Sequence, residues 1–258
     1  MFLVHRRGLD RSRPHPTFLT GYGRFNVSET PLFRRSTYLW LEHGGIFALP
    51  NLRGGAEYGE EWHRAGMLER KQNVFDDFIA AAEHLIGEGY TVPSRLAISG
   101  GSNGGLLVGA ALTQRPDLYR AVVCSVPLLD MLRYHHFLIA RLWIPEYGSA
   151  DSPDQFPYLY AYSPYHHVRE GTEYPAVLFM TAESDTRVDP LHARKMAARL
   201  QAAQHTQCDD AGIPQRPILL RIESRAGHGV GKPVTKLVEE QTDLWTFLFW
   251  QLGLHPAT

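Results

Sequence analysis

Three side-chain types lying far apart in this sequence could together carry out one reaction: a serine hydroxyl, a carboxylate and an imidazole. The serine is Ser102, within Ile98-Ser99-Gly100-Gly101-Ser102-Asn103-Gly104-Gly105-Leu106. Gly100, Ser102 and Gly104 fit the G-x-S-x-G pattern of a nucleophile elbow, which requires a strand before the turn and a helix after it. The apolar run Arg95-Leu96-Ala97-Ile98 supplies the strand, and residues 106–112 read as the helix. A sharp turn of this kind lifts one hydroxyl above the strand ends, and only residues without a Cβ tolerate the close backbone approach around it. The helix beginning there aims unbonded N–H groups at developing negative charge. Two other glycine motifs fail. A Walker loop needs Gly-Lys-Ser/Thr, whereas Gly104-Gly105 leads into Leu106. A dinucleotide fingerprint would need glycine where Ser102 or Asn103 stands. The remaining alternative is a glycine-rich turn with an incidental serine.

A nucleophilic serine needs a base, and the base needs an acid to orient it. In a doubly wound sheet the working residues lie just past the carboxyl ends of strands. The apolar run at 176–180 is followed by Thr181-Ala182-Glu183-Ser184-Asp185-Thr186-Arg187, and the run at 218–222 by Glu223-Ser224-Arg225-Ala226-Gly227-His228-Gly229. The chain order Ser102, Asp185, His228 is that of α/β-hydrolases and differs from the orders of the other two well-known serine hydrolase folds. His228 would take the Ser102 proton and return it to the leaving group, and Asp185 would hold the imidazole in the right tautomer. Glu183 is the rival acid, and position alone leaves the two open. An oxyanion hole needs the N–H of the residue after the nucleophile, here Asn103, and a donor from a loop after an earlier strand. His43-Gly44-Gly45 precedes a strand and is rejected. The loop at 21–26 follows one, and its Tyr22 is either a phenolic donor or a packed turn tyrosine.

The elements that must position these residues are legible from periodicity. Strands are expected at 2–5, 17–20, 45–49, 121–125, 176–180 and 218–222, besides the elbow strand. Helices are expected at 31–43, with Thr30 as cap, at 74–86, with Asn73 as cap, and at 191–203 and 234–252. This alternation argues for a mostly parallel, doubly wound α/β sheet with helices on both faces, and the order Ser102, Asp185, His228 makes it the α/β-hydrolase fold. Residues 144–175, dense in Pro, Tyr and Ser, are expected to form short helices and loops over one end of the sheet.

Composition sets the outer limits. The chain has 258 residues, a hydrophobic fraction of 44% and a charged fraction of 21%, which suit one large α/β domain over residues 1–258. Net charge is −1 with histidine neutral and no basic block appears, so neither nucleic acid nor an anionic membrane is an expected partner. The two cysteines form no disulfide framework, the N-terminal apolar run is too short for a signal peptide, and the expected compartment is the cytoplasm. The pairs His135-His136 and His166-His167 show no partners at metal-ligand spacing in the sequence, so no metal or cofactor is expected.

With these residues in view, the chain resembles the catalytic domain of the prolyl oligopeptidase family almost end to end. The resemblance is carried by Gly21-Tyr22-Gly23 with Phe25-Asn26, Asn51-Leu52-Arg53-Gly54-Gly55 with Glu57-Tyr58-Gly59, the elbow with Asn103 after its serine, Asp185-Thr186-Arg187-Val188, and Ala226-Gly227-His228-Gly229. It implies an α/β-hydrolase fold and a serine peptidase acting on the carboxyl side of proline in short peptides, without metal or cofactor. It implies Ser102 as nucleophile, Asp185 rather than Glu183 as acid, His228 as base, and Tyr22 with Asn103 as the oxyanion hole. It places Trp143 against a substrate proline ring with Phe25, Tyr147 and Val188 around it, and makes Arg187 a donor to the carbonyl of the preceding substrate residue. Read without the resemblance, Trp143 is a core residue and Arg187 a solvated charge. The β-propeller that precedes this domain in the family is absent from the 258 residues. Two other readings are a broad esterase or acylaminoacyl-peptidase, and a non-catalytic remnant that binds a partner or peptide.

Overall fold

The strands carry apolar residues on both faces, so both faces must be covered. In the computed structural model, which describes residues 1–254 except 34, 206, 214, 225, 226 and 229–232, they are. The helices are α1 (Arg35–Glu42), α2 (Glu60–Arg64), α3 (Gln72–Gly87), α4 (Asn103–Gln114), α5 (Ile144–Tyr147), α6 (Phe156–Tyr162), α7 (Leu191–Ala203) and α8 (Val234–Leu252). The strands are β1 (Phe2–Val4), β2 (Thr17–Thr20), β3 (Ile46–Leu49), β4 (Leu96–Gly101), β5 (Ala121–Ser125), β6 (Ala176–Ala182) and β7 (Ile218–Glu223). They form one sheet in the order β1-β3-β2-β4-β5-β6-β7, in which the β1–β3 pair is antiparallel and every other pair parallel.

The two-residue period of a strand sends successive side chains to opposite layers. Val122, Cys124, Val177 and Phe179 enter a cluster with Phe75 and Phe78 of α3, Leu106 and Leu107 of α4, and Met196 and Leu200 of α7. Their neighbours Ala121, Val123, Ala176, Leu178 and Met180 enter a second cluster with Trp40 of α1 and Trp245 and Leu248 of α8. There Phe18, Trp40 and Trp245 pack ring to ring at 5.4 to 6.2 Å, and the Trp40 indole N–H donates to the Ile46 carbonyl at 2.8 Å, so its one polar atom is satisfied.

Three helix starts differ from expectation. Helix α1 begins at Arg35, and residues 31–33 are exposed and non-helical. Helix α3 begins at Gln72, and Asn73 lies inside its first turn, where Nδ2 donates to the Ala65 carbonyl at 2.8 Å and ties the helix to the preceding segment instead of capping it. Helix α4 begins at Asn103, immediately after the serine, so Gly104 and Gly105 are helical. Residues 144–175 do hold short helices, α5, α6 and a single turn over Pro164–His167. Among the described residues no helix is long and apolar enough to cross a membrane.

Candidate active site

The elbow forms because its glycines leave no alternative volume. A Cβ on Gly100 would lie 2.0 Å from the Gly104 carbonyl oxygen, and one on Gly105 would lie 2.7 Å from Pro127 Cβ. The turn brings β4 back over itself so tightly that Ser102 takes φ 57° and ψ −115°, a left-handed conformation disfavoured for any residue with a side chain. Its backbone N–H donates to the Ser125 carbonyl at the end of β5, at 2.9 Å, which anchors the strained residue to the neighbouring strand.

Asn103 is buried, and its side chain explains its residue type. Nδ2 donates to the Tyr22 carbonyl at 2.5 Å, and Oδ1 accepts from the Tyr147 hydroxyl at 2.8 Å. One amide thus ties the elbow to the loop after β2 and to α5. The Asn103 backbone N–H is the first donor of α4 and has no intrahelical acceptor. The half-buried Tyr22 borders, with Gly100 and Gly101, a cavity of about 150 Å³. Burial raises its hydroxyl pKa, against the opposing pull of the Arg24 and Arg187 charges, so the phenol keeps its proton and remains a donor.

Because the strands are parallel, β4, β6 and β7 deliver Ser102, Asp185 and His228 to one rim of the sheet. Asp185 is separated from its rival by burial. Its side chain is 0% exposed and Oδ2 accepts from His228 Nδ1 at 2.6 Å, whereas Glu183 is exposed. Oδ1 accepts the backbone N–H groups of Arg187 and Val188 at 2.8 and 3.0 Å. Burial alone would raise the Asp185 pKa. The hydrogen bonds from His228 and from these two amides overcome it and hold the carboxyl below its usual range. Among the described residues no hydrogen bond joins Ser102 Oγ to His228 Nε2. The carboxylate–imidazole contact at 2.6 Å is the one made among these three side chains in the structure. Ala226 and Gly229, which flank the histidine motif, lie outside the described residues.

The expected substrate pocket holds a residue that the sequence reading passed over. Phe25 is 36% exposed, while Trp143, Tyr147 and Val188 are buried. Between the aromatic rings sits the guanidinium of Arg24, whose Cζ is 3.1 Å from the Phe25 ring centre, 3.7 Å from that of Tyr147 and 5.3 Å from that of Trp143. Arg24 itself is 1% exposed, although arginine is almost never fully buried without a partner. Below it Lys71 donates to the Gly23 carbonyl at 3.0 Å. Burial first, and the Arg24 charge second, pull the Lys71 pKa down to about 7, against the buried Glu146 carboxylate. Glu146 accepts from the Phe25 N–H at 3.2 Å and pairs with His63 at 3.0 Å. Arg187 is exposed, and among the described residues its guanidinium has no hydrogen-bond partner.

One expectation is corrected away from the rim. The His135-His136 pair does have a third group at ligand spacing: Asp151 lies 3.0 Å from His135 Nε2 and 3.6 Å from His136 Nε2. The loop connecting α5 and α6 folds back over the pair, a contact that sequence spacing does not reveal. His166 is engaged differently, at 2.8 Å from the Ser163 hydroxyl.

Comparison with known proteins places this geometry in context. The prolyl oligopeptidase family profile matches residues 31–255. The chain is 46% identical over 255 residues to the prolyl endopeptidase of Elizabethkingia miricola, covering 98% of this chain and 35% of that protein. It is 44% identical over 250 residues to the prolyl endopeptidase of Dictyostelium discoideum, covering 96% and 32%. A prolyl endopeptidase solved in a study of inter-domain dynamics in catalysis and specificity superposes with TM-score 0.92 at 57% identity, covering 98% of this chain and 36% of that one. Prolyl oligopeptidase B from Galerina marginata, bound to a 35mer hydrolysis and macrocyclization substrate, superposes with TM-score 0.89 at 38% identity, covering 99% and 35%. Substrate-bound structures of that enzyme carry a histidine, an aspartate or a serine replaced by alanine. The chain thus spans about a third of the length of the relatives it matches.

Proposed function

Because this chain belongs to the prolyl oligopeptidase family, we propose that it hydrolyses the peptide bond on the carboxyl side of proline through a Ser102 acyl-enzyme. The observation that carries the reading is the buried Asp185–His228 pair at 2.6 Å on the rim that also bears the elbow serine. The serine, aspartate and histidine replaced in the substrate-bound relatives are the same three residue types.

In this reading His228 closes onto Ser102, and Nε2 takes the hydroxyl proton as Oγ bonds to the scissile carbonyl carbon. Catalytic hydrogen bonds are often long or poorly aligned before substrate arrives and tighten only in the complex. The carbonyl oxygen becomes an oxyanion held by the Asn103 N–H and the Tyr22 hydroxyl. The intermediate collapses, the C–N bond breaks, and the proton on Nε2 passes to the departing amine. Water then attacks the acyl ester by the same proton path in reverse, freeing Ser102. Arg187 donates to the carbonyl of the residue before proline. A proline ring is apolar and has no N–H, so a slot walled by Phe25, Trp143, Tyr147 and Val188 offers it contact without leaving a donor unpaired. Cys124 and Cys208 are both free thiols, which suits a reducing compartment, and we place the protein in the cytoplasm.

Turnover of an N-blocked dipeptide p-nitroanilide ending in proline, compared with its alanine counterpart, tests the specificity. The proline substrate is expected to be cleaved with the higher kcat/KM, and equal values would remove the assignment. Tyr22→Phe tests the oxyanion role. Loss of one such donor is expected to lower kcat on the order of 10²–10³-fold. The melting temperature should stay unchanged, because among the described residues nothing accepts the Tyr22 hydroxyl proton. An unchanged kcat would reduce Tyr22 to a packing residue.

A further inference from the structure

The guanidinium of Arg24 occupies the space between the rings assigned to the substrate proline. Three observations make this occupancy unusual. Arg24 is 1% exposed. Its Nε and Nη2 are buried without a hydrogen-bond partner. Its guanidinium carbon lies 3.1 Å from the Phe25 ring centre and 3.7 Å from that of Tyr147, two rings whose centres are 6.5 Å apart and whose planes are tilted by 57°, so it fills the gap between them. Cation–π contact with the rings holds the charge in place, while the unpaired donors and the nearby Lys71 ammonium oppose it. The buried anion of this cluster, Glu146, spends its oxygens on the Phe25 N–H and on His63.

We propose that Arg24 is a specificity-determining residue, an internal occupant of the aromatic slot that must swing out before a substrate proline can enter. The proposal rests on the reading of Phe25, Trp143 and Tyr147 as the pocket for the residue before the scissile bond. When the guanidinium leaves, its donors recover hydration and the three ring faces become available to an apolar ring. The side chain starts from a loop with an exposed flank: Phe25 and Asn26 are both exposed and take positive φ, 57° and 55°. Every substrate therefore meets a site that is competent only in the fraction of molecules with Arg24 out, and apparent affinity falls by that fraction. A carboxylate-recognising role is the competing possibility, since an acidic side chain could pair with Nε and Nη2. It is disfavoured because the guanidinium itself occupies the space between the rings.

The test uses the intact chain and its Arg24→Ala and Arg24→Gln variants. Binding of N-acetyl-alanyl-prolinamide is read by calorimetry, and hydrolysis with N-blocked proline and glutamate p-nitroanilides. Fluorophosphonate labelling of Ser102 serves as the control. Both variants are expected to label at the wild-type rate and to bind the prolinamide about tenfold more tightly, as removal of a one-in-ten competent fraction would give. KM for the proline substrate should fall in parallel while kcat holds. Labelling with unchanged or weakened proline affinity overturns the plug alone. Preferential wild-type cleavage of the glutamate substrate, lost in both variants, overturns it in favour of anion recognition. Failure of wild type and variants alike to label removes the site reading and the proposal with it. Should Arg24→Ala fail to fold, the longer polar side chain of Arg24→Gln carries the same test.

Discussion

Ser102→Ala is expected to lower turnover of a proline p-nitroanilide by about 10⁶-fold, the loss that follows when a serine-hydrolase triad loses its nucleophile. The effect should fall on kcat, with KM nearly constant, because the rings that would hold the substrate are untouched. Residual activity of about 10³–10⁴ over the uncatalysed reaction would come from the oxyanion donors and from binding alone. The fold should be indifferent to the change. Alanine retains the Cβ that already sits at φ 57°, and among the described residues the Ser102 hydroxyl makes no hydrogen bond. Intact-mass analysis after fluorophosphonate treatment gives an independent reading: one adduct on the wild-type chain and none on the variant. A variant that keeps the adduct, or a wild-type chain labelled at another residue, would move the nucleophile elsewhere.

The parts of this site legible from sequence are those set by local rules. The elbow could be read because Gly100 and Gly105 are required by contacts within a few residues or with the next strand, and such constraints leave a fixed pattern. The parallel strands could be read because a sheet covered on both faces needs continuous apolar runs, as 121–125 and 176–182 are. Asp185 and Glu183 could not be separated, since both follow β6. In the structure they part: the Asp185 carboxylate accepts from His228 and from two amides of its own loop, while Glu183 is exposed. The misplaced starts of α1 and α3 have different causes: Asn73 is diverted to the Ala65 carbonyl, and residues 31–33 after Thr30 are exposed and form no packed turn.

Arg24 was illegible for a stronger reason. An arginine between glycine and phenylalanine reads as a solvated charge, and only the return of the chain at residues 143–147 puts two more rings against it. The meeting of His135 and His136 with Asp151 has the same origin in a loop that closes back on itself. Charged side chains enclosed by distant aromatic segments leave no periodic trace.

Asp185→Asn is expected to lower kcat by about 10⁴-fold, for a reason that the hydrogen bonds make specific. Oδ1 of the carboxylate accepts from the Arg187 and Val188 amides and Oδ2 from His228 Nδ1. An asparagine will turn its oxygen toward the two amides, since its NH₂ group cannot accept from them. The NH₂ then faces Nδ1 and forces that nitrogen to accept. The imidazole proton moves to Nε2, which can no longer take a proton from Ser102, so the base is present in the wrong tautomer. The loop should remain in place, because both backbone bonds survive. Stability should nevertheless respond to pH. The folded-state pKa of Asp185 lies below its unfolded value, so the carboxylate contributes stability above the unfolded pKa of about 4 and loses it as pH falls through the lower folded value. The wild-type chain should therefore be more stable than Asp185→Asn at neutral pH, and the gap should close in acid. Denaturation midpoints measured from pH 7 down to the acid limit, beside kcat at neutral pH, separate the two roles. A large loss of kcat with a stability difference that ignores pH would mean that the carboxylate orients the imidazole without holding its own charge against burial.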